Sequence, residues 1–238
     1  MAYSDYGVRW QLRFAARDGK MFRVEILQDG WNNTPINLRG AASPIETQDD
    51  NSQDPFYPIR KQTGTLRIAD KGYDMDGNTF NYDDMIPGDT YDNQVRLWQE
   101  GGIGESDTLR WVGYMRPDSL TSRMFEKISI REFPLVCPIG AMYDKPLTLS
   151  NNETNKNTVK TIGQILHDAL ASTDIDWQYV YKQNNVSNRE DLTAKVSLMN
   201  FIENKPTHTT DSQNNVYATW TDNSTSYGNV IEEICQFF

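Results

Sequence analysis

Two runs of strict alternation around one Asp-Gly pair limit what the start of this chain can become. Trp10, Leu12 and Phe14 alternate with Gln11 and Arg13. After Asp18-Gly19, the residues Phe22, Val24 and Ile26 alternate with Arg23 and Glu25. A period of two puts one set of side chains on one face of a strand, and Asp-Gly supplies the tight turn between two such strands. A β-hairpin is predicted, apolar face inward. Asp29-Gly30 and Asn32-Asn33 end its second strand.

The same signals recur downstream. A short strand is expected over 36–38. Residues 43–58 read as loop, because Pro44, Pro55 and Pro58 frame a polar, acidic stretch. Residues 63–69 read as a strand with Leu66 and Ile68 on one face, and 70–92, rich in Gly, Asp and Tyr, as a long connection. Val95 and Leu97 alternate with Arg96 and Trp98, Gly101-Gly102-Ile103-Gly104 turns the chain, and 109–114 returns. Residues 125–136 read as one further strand, with Ile128 and Ile130 on one face.

The remainder changes period. Residues 151–157 form a polar linker. Ile162, Ile165, Leu166, Ala169 and Leu170 then recur at helical spacing, with Asn157 or Thr158 as N-cap. Residues 175–181 alternate as a strand, 203–226 read as polar loop, and Val230, Ile231, Ile234 and Cys235 mark a second helix from about Ser226. The two helices resemble each other: Gly163-Gln164-Ile165-Leu166 aligns with Gly228-Asn229-Val230-Ile231. A Trp177-bearing strand follows the first, so a strand is expected after the second, beyond Phe238. The fold class expected is α+β, mainly antiparallel β. It comprises a barrel or sandwich-like β-domain with long loops over residues 1–146, then a smaller helix–strand–loop–helix region over 147–238, incomplete at its C-terminus.

Charge narrows the function. The chain carries 33 Asp and Glu against 23 Lys and Arg, a net charge of −10. Binding to nucleic acid rests on Lys and Arg neutralising phosphates, so an acidic surface disfavours it, and anionic membranes likewise. An aromatic share of 11% excludes a disordered chain. Residues 1–6 lack the basic and apolar parts of a signal peptide, and no stretch approaches the ~18 apolar residues of a membrane span. Folding in the cytoplasm is expected.

Chemistry-bearing residues are few. Cys137 and Cys235 both sit in apolar runs and read as buried free thiols, not a disulfide framework. His167 reads as a solvated helix residue and His208 as a loop residue; neither stands in a metal or nucleophile motif. Gly72, Asp74, Asp76, Gly77 and Asp83 match part of a calcium-loop spacing. The leading carboxylate is missing, and Asp stands where Glu normally closes the loop, so a turn-rich loop is favoured over a weak Ca²⁺ site. Trp31, Tyr57, Tyr73, Tyr82 and Tyr91 lie in predicted loops, where aromatics serve as local packing, interface anchors or sugar platforms.

The order of several segments is familiar. They are Val24-Glu25-Ile26-Leu27, Phe56-Tyr57-Pro58-Ile59-Arg60, Thr63-Gly64-Thr65-Leu66-Arg67-Ile68 and Trp111-Val112-Gly113-Tyr114-Met115-Arg116-Pro117-Asp118. The strand over 128–136, the helix at Ile162, the Trp177 strand and the helix over 227–238 follow them. In this order they resemble the N-terminal part of phage and prophage tail proteins of the baseplate or tail-tip hub type. The resemblance spans nearly the whole chain as a pattern of weak pieces.

It implies a structural, non-enzymatic virion component, assembled in the host cytoplasm, that forms a ring, usually a trimer, joining tail tube to tip. Its partners would be copies of itself and other tail proteins (tube, distal tail, tip), with no specific nucleic-acid or membrane binding. It implies no catalytic, cofactor-binding or metal residues and no cofactors. Two readings stand beside it: a distal tail protein, which forms a hexameric ring, and a carbohydrate-binding module at a tail tip or cell surface. An enzyme comes third, because paired carboxylates are no signal in so acidic a chain.

Overall fold

The structure, a computed structural model, describes residues 6–49, 61–117, 121–125, 128–152, 159–173, 175, 195–197, 207–210, 213 and 216–237. These divide into two compact units, the break falling between Ala141 and Met142.

The first unit is one large sheet. Strands β1 (Tyr6–Ala15) and β2 (Met21–Asp29) form the hairpin that the Asp18-Gly19 pattern predicts, with Phe14 and Phe22 stacked at 5.6 Å beside its turn. The two-residue β3 (Ile36–Asn37) pairs in parallel with β1 at Trp10 and Gln11. Then come β4 (Gly40–Asp49), β5 (Gln62–Asp70), a 3-10 helix at Tyr82–Met85, β6 (Asn93–Gln99), β7 (Thr108–Met115), β8 (Thr121–Phe125) and β9 (Ile128–Val136). A four-residue helix α1 (Pro138–Ala141) closes the unit.

Spatial order along the sheet is β3-β1-β2-β6-β7-β9-β5-β4, with β8 alongside β9. Every pairing except β1 with β3 is antiparallel. The sheet is thus mainly antiparallel, as expected, and among the described residues its ladder does not close on itself.

One face of this sheet buries the core. Trp10 and Leu12 of β1, Val24 and Ile26 of β2, Leu66 and Ile68 of β5, Val95 of β6, Trp111 and Met115 of β7, and Phe133 and Leu135 of β9 all enter one cluster. Phe80, Tyr82 and Met85 cover it from the long connection. Each buried side chain of this size gains ~1.5–3 kcal/mol over exposure.

The strands come close where β7 meets β9: a Cβ on Gly113 would stand 2.2 Å from the Trp111 ring and 2.4 Å from the Val136 carbonyl oxygen. Only a residue without that atom lets Trp111 fold back over its own strand.

The other face of the sheet mixes charged side chains with Trp98, Val112 and Ile130, and carries a buried row at one end. There Leu27, Gln94, Tyr114 and Val136 line up across four strands and are all buried. Tyr91 packs its ring 5.0 Å from that of Tyr114 and donates its hydroxyl to the Ala141 carbonyl of α1 at 2.7 Å.

The second unit holds a three-stranded antiparallel sheet ordered β10 (Pro146–Asn152), β14 (Val216–Ser226), β13 (Thr207–Thr210), and a small pair β11 (Val159–Thr161) with β12 (Lys195–Ser197). Helix α2 (Ile162–Ala171) buries Ile165 and Ala169, and it packs against α3 (Tyr227–Phe237), which buries Val230 and Ile231. Tyr143 donates its hydroxyl to Glu232 at 2.7 Å.

Five sequence expectations need correction. Residues 43–49, expected in the loop over 43–58, belong to β4, because an end strand carries a polar outer side and tolerates proline at a bulge; residues 50–58 lie outside the described ones. The run over 125–136 begins earlier and is two strands, β8 and β9, that pair with each other. Asn151 and Asn152, expected in the linker over 151–157, belong to β10; residues 153–157 lie outside the described ones. The N-cap of α2 is Thr161, neither Asn157 nor Thr158: its hydroxyl accepts from the Gln164 amide at 3.2 Å, and the Gln164 side chain accepts from the Thr161 amide at 2.9 Å, a capping box. The polar stretch over 203–226 contains β13 and β14. The strand expected over 175–181 lies outside the described residues apart from Ile175.

Trp10 tests the core account. Its ring is fully buried, and its indole N–H meets no acceptor among the described residues. Trp10→Ala should cost ~3–5 kcal/mol in denaturant unfolding. Trp10→Phe should cost much less, since the N–H it removes is unsatisfied in the folded state.

Candidate interaction surface

The connection between β6 and β7 is long for a hairpin, spanning residues 100–107, yet it is pinned. The Asp107 carboxylate accepts from the Gly101 amide at 3.0 Å, and the Glu105 amide donates to the Gly102 carbonyl at 3.0 Å. Asp107 also pairs with Arg23 of β2 at 3.0 Å. Arg23 bonds Glu25 at 2.9 Å, and Glu25 accepts from the Trp98 indole at 2.7 Å. Glu100 forms an ion pair with Arg13 at 2.9 Å. The hairpin base is thereby tied to the neighbouring hairpin through side chains.

The charges in this ladder are held in place. The Gly101 amide, helped by Arg23, keeps the Asp107 carboxyl below the usual carboxylate range. Burial works against the charge of Arg23, but Glu25 and Asp107 outweigh it and raise its pKa. At the tip of this pinned loop stands Ile103, 109% exposed. Met21 and Leu109, at the adjoining ends of β2 and β7, are 41% and 45% exposed. Large apolar side chains held outward on an ordered hairpin are the form of a protein contact anchor.

Two further charged clusters lie on opposite faces of β5 and β9. Arg67 bonds Glu46 at 2.9 Å and Glu132 at 3.3 Å, and Arg131 bonds Asp70 at 2.9 Å and Asp83. The Glu46 hydrogen bond leads in raising the pKa of Arg67. Burial opposes the rise at Arg131, where Asp70 and Asp83 prevail. Each such pair contributes about 0–1 kcal/mol. These neighbours hold Arg67 and Arg131 in their charged forms.

The calcium-like loop has its own use for its oxygens. Asp74 is buried, and one carboxylate oxygen accepts from the amides of Asp76 at 2.9 Å and Asn78 at 2.8 Å, while the other accepts from the Asn78 side chain at 3.1 Å. Burial raises its pKa, yet these bonds, led by Asn78, bring it below the ordinary carboxylate value. Asp76 accepts from Asn37, and Asp83 is paired with Arg131. Among the described residues, no three His, Cys, Asp or Glu side chains stand close enough together to hold a metal ion.

The other candidate residues are dispersed. Cys137 is buried, and its sulfur accepts from the amides of Gln62 at 3.1 Å and Gly140 at 3.3 Å. His167 is exposed on α2, its Nδ1 3.6 Å from Asp168. His208 lies in β13, not in a loop, and Cys235 lies in α3, its side chain outside the described ones.

Of the loop aromatics, Tyr82 is buried and donates to the carbonyls of Ala69 and Tyr73; burial, with Asp70, pushes its hydroxyl up to about 12. Tyr91 packs on Tyr114, and Trp31 covers the Arg9 guanidinium at 4.8 Å from its centroid. Tyr73 is 43% exposed, and Tyr57 lies outside the described residues. Sequence reasoning missed the pinned tip: Gly101-Gly102-Ile103-Gly104 reads as a turn, and the one available signal was an aliphatic residue among glycines.

No protein-family model matches the chain, and no curated protein matches its sequence. No helix among the described residues is long and apolar enough to cross a membrane.

The held charges set a pH dependence. Asp74 and Asp107 have folded-state pKa values below the unfolded value, so each adds stability above the unfolded carboxylate range, about pH 4, and that contribution is lost as pH falls through the folded pKa. Thermal melts should show a midpoint that drops below about pH 4. The Asp74→Asn, Asp107→Asn double variant should melt lower at neutral pH and lose part of that acid dependence.

Proposed function

We propose that this chain is a structural subunit of a phage or prophage tail, a hub-like ring component that joins tail tube to tip through protein–protein contacts in the virion. The observation that carries the reading is the pinned β6–β7 hairpin with Ile103 fully exposed at its tip. It gives the first unit a rigid apolar anchor, while its ionisable groups are engaged in ladders that hold the sheet together. The acidic balance, −10 overall, suits a ring through whose lumen DNA passes without adhering. The order of sequence segments that resembles hub proteins supports the same assignment.

The sheet also supports a barrel-like reading, as in a tube-type β-domain. Residues 38–40 carry hydrogen bonding from one end of the sheet toward the other. The Leu38 amide donates to the Gln11 carbonyl of β1 at 2.8 Å, the Ala69 amide of β5 donates to the Arg39 carbonyl at 2.9 Å, and Gly40 pairs with Ile68.

Counting copies in purified tail particles by quantitative mass spectrometry tests the function. Three copies per particle are expected for a hub. Six would move the assignment to a distal tail protein, and absence from the particle would overturn it. Ile103→Asp should leave the melting midpoint unchanged and lower incorporation about tenfold or more, the effect of losing a contact anchor of ~1.4 kcal/mol or larger.

A further inference from the structure

Among the described residues β4 stands last in the sheet, and its register break is the longest there: the breaks between β1 and β2 and between β6 and β7 each involve one extra residue. Where β5 faces β9, eight residue pairs run in unbroken register from Thr63↔Val136 to Asp70↔Ser129. Where β5 faces β4, the register breaks: Gly40 pairs with Ile68 and Ile45 with Leu66. Four residues, Ala41 to Pro44, therefore stand opposite the single Arg67, three more than a regular ladder holds.

Ser43 has a φ of 50°, the one positive φ among the described non-glycine residues. That conformation interrupts an extended strand. Pro44 has no amide hydrogen to offer a neighbour. It is buried, folded over Gly40 so closely that a Cβ there would stand 2.7 Å from the Pro44 ring. The bulge thus turns the chain inward where a straight edge would run. Past it, Glu46 to Asp49 pair regularly with β5 and are all exposed, and two of the four are carboxylates. Bulges, prolines and charges at a sheet end are physical means of preventing strand addition.

We propose that the Ala41–Pro44 bulge is an edge guard: it stops β4 from accepting a strand of a second copy of this chain, so that the first unit associates through its other surfaces. The inference stands independently of the tail assignment. Its test is sedimentation velocity over a wide concentration range, with infrared spectroscopy for intermolecular β-pairing, on three variants beside the natural chain.

Deleting residues 42–44 removes the three extra residues and gives β4 a single register. It should add a concentration-dependent heavier species with an intermolecular β band. A folded deletion variant that sediments like the natural chain overturns the proposal. Glu46→Thr with Asp49→Thr, bulge retained, should sediment like the natural chain; if it associates, the charges are the guard and the proposal fails. Should the deletion abolish the cooperative melt, Pro44→Thr decides, since it keeps the length and restores an amide hydrogen: a heavier species supports the guard, and an unchanged distribution overturns it.

Discussion

The first unit depends on the burial of one face of one sheet against a single core. β1, β2, β5, β6, β7 and β9 all send side chains into the cluster around Trp10, Trp111 and Phe133. A flat sheet could not bring β1 and β5 to the same cluster, so the strands must coil, as right-handed twist inclines them to do. The long connection over 71–92 is shaped by the same demand. Phe80, Tyr82 and Met85 cover the core from it, and Asp74 gathers the amides of Asp76 and Asn78 so that its turn holds without a ladder.

The other face of the sheet carries charge at several points, where Arg23 and Arg67 bridge carboxylates; Arg131, on the core side opposite Ile68, bridges Asp70 and Asp83 at the edge of the core. These pairs contribute little individually. Their larger effect is positional. Arg23 reaches from β2 to Asp107 at the base of the β6–β7 hairpin and so fixes a loop that its own glycines would leave loose.

The sequence disclosed the elements whose two faces differ. Trp10 to Ile26 and Val95 to Tyr114 show period two because one side meets the core and the other meets water. It concealed β4 and β14, whose residues are polar on both sides in the amino-acid string: Ile45-Glu46-Thr47-Gln48-Asp49 and Thr219-Trp220-Thr221-Asp222-Asn223 carry no clean alternation. It concealed the break between β8 and β9 because no Gly, Pro or Asn separates Phe125 from Ile128. The cap of α2 is expected at Asn157 or Thr158, although Thr161, three residues before Gln164, carries the capping-box spacing. The interaction surface was not legible: what pins the Ile103 tip is Asp107 and, from another hairpin, Arg23, a relation set by pairing between distant strands.

The buried row of Leu27, Gln94, Tyr114 and Val136 lies on the face opposite the core, so the middle of the sheet there is enclosed on both sides. A slip of one residue anywhere along β6 would exchange Gln94 with Val95, placing an amide in the apolar cluster and an aliphatic group where the Tyr114 hydroxyl needs a partner. Here such a slip is resisted from both faces at once. Four strands are held to one alignment at that point. The register of this sheet is held there, as a keystone holds the alignment of the stones beside it.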